Sequence, residues 1–326
     1  MNEQTLKTVF SGLLHDVGKM VYRAGENRDH ASAGYAYLKE RLKDAAWQDV
    51  LDGVQALVKQ AEADELLLSD SMPWRELVHE DVFYLPKPCA VSEKKREIPA
   101  DLRKKMKRLL WIPVSDMGRF EQSIRGDTLY KPKDEAFGIA SERTSVSIAE
   151  GADATPYQVG SFRFYPDCGL YIIVGVRTEA QAERMDRLIS ALGMSGIGGK
   201  ISSGYGSFTV EERIDLCAPF DAQTEWLHDA LEKRDAKHQL LLTTSLPADD
   251  ELEEALEGAQ YQLVRRAGYV QSDTFAKSPV RKRTQMFMAA GAMLSRPFRG
   301  ALYTVAQNER HAVVRYAKPM MLGVSF

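Results

Sequence analysis

The sequence predicts an α+β protein built as two tandem ferredoxin-like domains behind a short α-helical N-terminal segment. Three observations predict it. Residues 1–60 carry apolar side chains at helical spacing. Residues 160–213 read strand, strand, helix, glycine-rich loop, strand, and residues 238–325 repeat the strand and helix theme. The divisions fall as a helical segment 1–60, a first domain 61–216 and a second domain 217–326.

In the first segment Leu6, Val9, Phe10, Leu13 and Leu14 follow the i, i+3, i+4, i+7, i+8 pattern, and that face ends on His15-Asp16. Ala33, Tyr37, Leu38 and Leu42 continue the helical spacing after His30. From about residue 65 tryptophan, proline and basic residues appear. The window 94–108 holds eight Lys or Arg against two acids, inside a chain whose net charge is −3. Such a run is either a solvated face or a nucleic-acid contact, with Arg103, Lys104 and Lys105 at its centre. Trp111 and Tyr130 flank it, and basic residues beside aromatics suit single-stranded nucleic acid.

In the first domain "GSFRFYP" and "LYIIVGV" read as strands around a turn at Asp167-Cys168-Gly169. Met185, Leu188, Ile189 and Leu192 make one apolar helix face, Gly193 is a natural C-cap, and "GSFTVEER" alternates as a half-buried strand. Between helix and strand lies "SGIGGKISSGYGSF", with Gly196, Gly198, Gly199, Gly204 and Gly206 around Lys200, Ser202 and Ser203. A Walker A loop is excluded, because Met194 and Ile201 stand where it needs a glycine and a hydroxyl. The dinucleotide fingerprint fails on Ile201 and runs from strand to helix, the opposite direction. An ordinary connection and a phosphate-approaching loop both fit this composition.

In the second domain "HQLLLTTSL" is a strand and "PADDELEEALEGA" a helix with acids at its N-terminus. "YQLVRRAGYV", "QMFMAAGAML" and "HAVVRYAKPMML" are further strands.

Composition bounds the function. Hydrophobic residues at 44% and charged residues at 27% fit a globular protein, and the net charge of −3 confines any nucleic-acid contact to a local patch. Cys89, Cys168 and Cys217 form no C-x-x-C pair, which favours a reducing compartment and gives no zinc site. The N-terminus lacks a signal-peptide pattern and apolar runs such as "LYIIV" are too short to span a bilayer, so a cytoplasmic location is expected. His79, His228, His238 and His311 form no i, i+4 pair.

The segments "GIGGKISSGYGSF", "PYQVGSFRFYPDCGLYIIV", "LLSDSMPWRE", "FYLPKP", "KRLLWIPV", "RRAGYV", "RPFRG" and "HAVVRYAKPMMLGV" together resemble the fourth subunit of the type III-A CRISPR (Csm) effector complex, over about residues 65–326. The resemblance implies a non-catalytic RAMP protein of two ferredoxin-like domains that holds the 5′ handle of the crRNA. The implied protein partners are the large signature subunit and the backbone RAMP subunit. It also implies that the glycine loop lies against the RNA backbone and that residues 119–160 form a hairpin along the guide, with Arg143 as its RNA contact; a surface hairpin against a neighbouring subunit fits that side chain equally well. The usual first strand of that subunit has no counterpart here.

"LLHDVGKMVYRAG" and "HASAGYAYL" resemble instead the start of the HD domain of the large subunit, where a His-Asp pair helps bind divalent metal for single-stranded DNA cleavage. The implied metal ligands are His15, Asp16 and His30, and the implied cofactor a divalent transition metal such as manganese or nickel. A His-Asp dipeptide at a helix end is also an ordinary solvated pair. Three ligands leave open whether a hydrolytic site is complete. The chain thus reads as an HD-like beginning joined to a RAMP body, with an HD-type nuclease as the alternative to an RNA-binding subunit.

Overall fold

The structure, a computed structural model, describes residues 56–78, 80–90, 98–133, 135–147, 153–198, 204–270, 278, 280–308 and 312–325. Residues 1–55, which carry most of the N-terminal helical reading, lie outside them. Residues 56–62 are helical, and Ala61 packs with Leu66 and Met185 in a small cluster.

An antiparallel four-stranded sheet forms the first half, in the order Trp111–Pro113, Asp81–Pro86, Met72–Glu76, Cys168–Tyr171. The strand Asp81–Pro86 is an almost unbroken apolar run because it is central, and it is buried from Val82 to Pro86. The helix Ala100–Arg108 lies between Asp81–Pro86 and Trp111–Pro113, and the turn Val114–Asp116 and the helix Met117–Arg125 follow Trp111–Pro113 directly. That second helix stops at Gly126, whose φ of 83° is left-handed, and it buries Met117 and Phe120. A long hairpin, Gly138–Ser147 paired with Thr155–Phe164, rises from the same half.

The helix Glu179–Ser195 begins with a capping box of Thr178 and Gln181. It extends past Gly193, and Gly196 rather than Gly193 is its C-cap. Packing explains the glycine at 193: a Cβ there would lie 2.4 Å from the Phe208 carbonyl oxygen, so its absence admits the returning chain. That returning chain is not the strand expected over 206–213. Val210 is exposed, and Arg213 is tied to Glu179 (2.8 Å) and Asp186 (3.1 Å), so the segment follows the helix instead of joining a sheet.

In the second half His238–Leu241 lies between Met293–Leu294 and Met321–Val324, all antiparallel. The helix Ala222–Glu232 starts with a second capping box, Asp221 with Thr224. The helix expected over 247–259 is confined to Leu252–Leu256. Pro247 precedes it, and the Glu251 carboxylate is drawn off to accept hydrogen bonds from Ala248, Arg299 and Gly300. Strand residues 263–266, 285–288, 302–307 and 312–316 form two further antiparallel pairs.

The main core crosses residue 216. Met72, Leu85 and Ile112 pack in one cluster with Leu227, Leu240, Leu242 and Leu322. Alternation along the strand and its continuation decides the allegiance of each leucine: Leu240 and Leu242 enter this cluster, while Leu241 enters a second one with Met288, Leu294 and Phe298. Backbone hydrogen bonds from Asp70 to Leu242 (2.9 Å) and from Cys89 to Gly291 (2.8 Å) stitch the halves together. The observed architecture is mixed α+β, with several small antiparallel sheets and few helices among the described residues.

Candidate nucleic-acid interface

The glycine loop opens from a neck whose geometry demands glycine. The Gly196 N–H donates to Leu192 (2.8 Å), Ile197 N–H to the Gly206 carbonyl (2.9 Å) and Phe208 N–H to Gly193 (3.1 Å). A Cβ at Gly206, where φ is +75°, would fall 1.9 Å from the Ile197 oxygen; one at Gly196, with φ +82°, would fall 2.9 Å from the Tyr205 oxygen. These two glycines serve the neck itself. Gly198 and Gly204 differ: their φ values are +86° and +83°, but nothing lies within 4 Å of an added Cβ. Their freedom leaves exposed backbone open to an incoming group. Gly199, Lys200, Ser202 and Ser203 lie outside the described residues.

Arg143 reaches this loop from the hairpin. It stands opposite Val159 in the ladder, and its guanidinium carbon is 5.6 Å from the centroid of the Tyr205 ring. The structure therefore joins Arg143 to the glycine loop through Tyr205, a residue that sequence reasoning did not single out. An aromatic between two loop glycines was the available signal, since bases stack on such rings.

The hairpin is anchored at its foot. Arg75 donates to the Ala136 carbonyl (2.6 Å), pairs with Asp167 (3.2 Å) and lies 5.8 Å from the Phe137 ring. Tyr84 meets Phe137 edge to face and donates to Glu135. Burial, then the Glu135 carboxylate, pushes the Tyr84 hydroxyl well above its ordinary pKa, so it stays a donor. Beyond that foot Ile139, Val146, Phe162 and Phe164 are exposed.

The basic helix Ala100–Arg108 is a separate surface. Leu102 is buried and Met106, one turn later, packs on the main core; Arg103, Lys104, Lys105, Lys107 and Arg108 are exposed. Arg103 donates to the Ile98 carbonyl (3.2 Å). The aromatics that flank the window do not serve as stacking platforms. Tyr130 is buried against Phe120 and donates to Asp116 (3.3 Å), and Trp111 packs on the core.

His15, Asp16 and His30 lie outside the described residues. Among the described residues no group of three or more His, Cys, Asp and Glu could hold a metal ion, and no helix is long and apolar enough to cross a membrane.

Residues 234–324 match the CRISPR Csm4 C-terminal domain, and residues 1–99 match the HD domain. The chain is 33% identical over 276 residues to the Csm4 protein of Mycobacterium tuberculosis, covering 84% of each. It is 29% identical over 279 residues to the Csm4 protein of Streptococcus thermophilus, covering 82% of this chain and 83% of that one. The chain belongs to the Csm4 family of type III-A RAMP subunits, with an HD-domain sequence at its N-terminus. Its fold is similar to a crystal structure of a Csm3–Csm4 subcomplex in the type III-A interference complex (TM-score 0.52, 13% identity, 98% of this chain, 93% of that chain). It is also similar to that of a Csm1–Csm4 cassette in complex with cA4 (TM-score 0.50, 17% identity, 97% and 91%).

Proposed function

We propose that this chain is the RNA-binding subunit that holds the 5′ handle of the crRNA in its complex and docks to the large signature subunit and to the backbone RAMP subunit. The observation that carries the reading is Arg143 over Tyr205, which sets a cation and a stackable ring beside the open glycines Gly198 and Gly204. The backbone of the loop approaches the sugar-phosphate, Lys200 supplies charge, and Ser202 and Ser203 donate hydrogen bonds. The basic helix adds attraction without sequence preference. Relatives in complexes with Csm3 and Csm1 support the two protein partners. In this reading the body is two ferredoxin-like domains, 61–216 and 217–326. The test replaces Lys200, Ser202 and Ser203 with Ala and titrates handle-containing RNA at several salt concentrations. Affinity falls, and the log–log salt slope flattens by roughly 0.7 for each lost phosphate contact on a single strand. Unchanged affinity and slope return the loop to an ordinary connection.

The HD-domain match over residues 1–99 favours a second reading, a metal-dependent nuclease carried by the RAMP body. His15, Asp16 and His30 are its ligand set, which is short for a hydrolytic centre with an activated water. Weak metal binding and little cleavage of single-stranded DNA are expected with manganese or nickel. Robust cleavage that His15→Ala and Asp16→Ala both abolish promotes the nuclease.

A further inference from the structure

The window 265–283 of the C-terminal half holds six Lys or Arg and a single Asp. Three cations converge there. Arg315, on the strand Ala312–Tyr316, donates from Nη1 to the Arg266 carbonyl (3.3 Å) and to Gln285 Oε1 (3.1 Å), and its Cζ lies 5.8 Å from the Phe287 ring centroid. Those contacts fix the guanidinium beside the end of the strand Leu263–Arg266. Lys282 is held to the same edge by its backbone, which donates to the Gly268 carbonyl (2.8 Å), while Arg283 N–H donates to Val305 (2.6 Å). Arg266 is exposed; Lys282 and Arg315 are half-buried.

Among the described residues, no carboxylate forms an ion pair with any of the three. Burial, then Arg315, holds the Lys282 ammonium below its ordinary pKa; burial, then Arg266, does the same to Arg315. Like charges gathered in partly desolvated surroundings destabilise the free fold, and an anion placed among them removes that penalty. An exposed aromatic follows the same strand: Tyr269, bridged to Arg281, at 59% exposure. A cation cluster beside an exposed ring suits a phosphodiester with unstacked bases better than an acidic protein surface.

We propose that Arg266, Lys282 and Arg315 form a second anion site, on the C-terminal half and separate from the glycine loop, that takes a backbone phosphate of single-stranded RNA. It rests on the reading that the chain binds RNA.

The test uses the full chain, a labelled single-stranded RNA, and the double variant Arg266→Gln/Lys282→Gln, beside the glycine-loop triple variant. The double variant binds RNA about 10-fold more weakly, and its salt slope flattens by roughly 1.4, about 0.7 for each lost contact. Its melting temperature is unchanged or higher, because like-charge repulsion has been relieved, and Arg266→Lys retains RNA affinity within about twofold. If the triple variant weakens RNA binding and the double variant does not, RNA binding stands and this site is overturned. If the wild-type chain has no RNA affinity, the functional reading falls and this site with it. A lower melting temperature with the loss of affinity makes the cations structural, and weakened binding of poly-glutamate alone assigns the site to an acidic protein; either result overturns the proposal.

Discussion

The four-stranded sheet and the hairpin arm are both antiparallel, yet they meet opposite surroundings. In the sheet Leu85 and Ile112 are fully buried and face leucines of the other half. In the arm ten residue pairs leave Phe162 at 53% and Val146 at 54% exposure. Ladder length therefore does not measure stability. A two-stranded ribbon is marginal in water without a covered face, so the arm depends on its foot at Arg75, Tyr84 and Phe137. Apolar side chains along an uncovered ribbon suit contact with a partner surface.

The strongest way to break this contrast is in the core. Leu240→Ala should destabilise the chain by about 3 kcal/mol, read as a shift of the denaturation midpoint, because the side chain is fully buried where both halves meet. A loss below about 1 kcal/mol would mean the halves are not packed as described. Next is the loop neck. Gly206→Ala forces a Cβ into the Ile197 carbonyl at positive φ and should cost about 2 kcal/mol. Gly198→Ala, with open space around it, should cost about 1 kcal/mol from backbone conformation alone. Equal costs would refute the division of the glycines into neck and open positions.

Local physics made part of this legible in sequence. The helix Glu179–Ser195 was readable from Met185, Leu188, Ile189 and Leu192, and the strand at 238–241 from its leucine run. What failed depended on partners distant in sequence. "GSFTVEER" alternates like a strand, but Arg213 finds two acids on the helix and no ladder forms. Gly193 resembles a cap until Phe208 returns against it. Tyr130 looked available for stacking, and Phe120 and Asp116 enclose it. At the candidate interface the glycines and Arg143 were visible as residue types. Their meeting through Tyr205 was not, because the hairpin and loop are some sixty residues apart.

A smaller effect sharpens the contrast through pH. Glu251 accepts from Ala248 N, Arg299 N and Nε, and Gly300 N. Burial alone would raise its pKa, but these hydrogen bonds, led by those from Arg299, outweigh it and hold the carboxyl below its ordinary value. A lowered folded-state pKa gives stability above the unfolded value, lost as pH falls through the folded one. Glu251→Gln should therefore cost about 1 kcal/mol at neutral pH, and its gap from the wild type should close in acid, as pH falls through the lowered folded-state pKa of the wild-type carboxyl. A gap independent of pH would mean that shape rather than charge holds the 299–300 loop.

The smallest effect on stability should accompany a clear effect on binding. Arg143 is exposed, and its described partners are the Val159 ladder position and the Tyr205 ring. Arg143→Ala should change stability by less than about 0.5 kcal/mol, as expected for a surface side chain. RNA affinity should nevertheless fall about fivefold, through loss of one cation beside the loop. Tyr205→Ala should weaken RNA binding by a comparable or larger factor, because a stacked base is worth about 1–3 kcal/mol. If the arginine and the ring act as one clamp, the double variant should lose less affinity than the two single losses multiplied. RNA titrations of the four proteins, run beside their melting curves, measure this coupling. Multiplicative losses would separate the arm from the loop, leaving the cation–ring contact with no part in holding RNA.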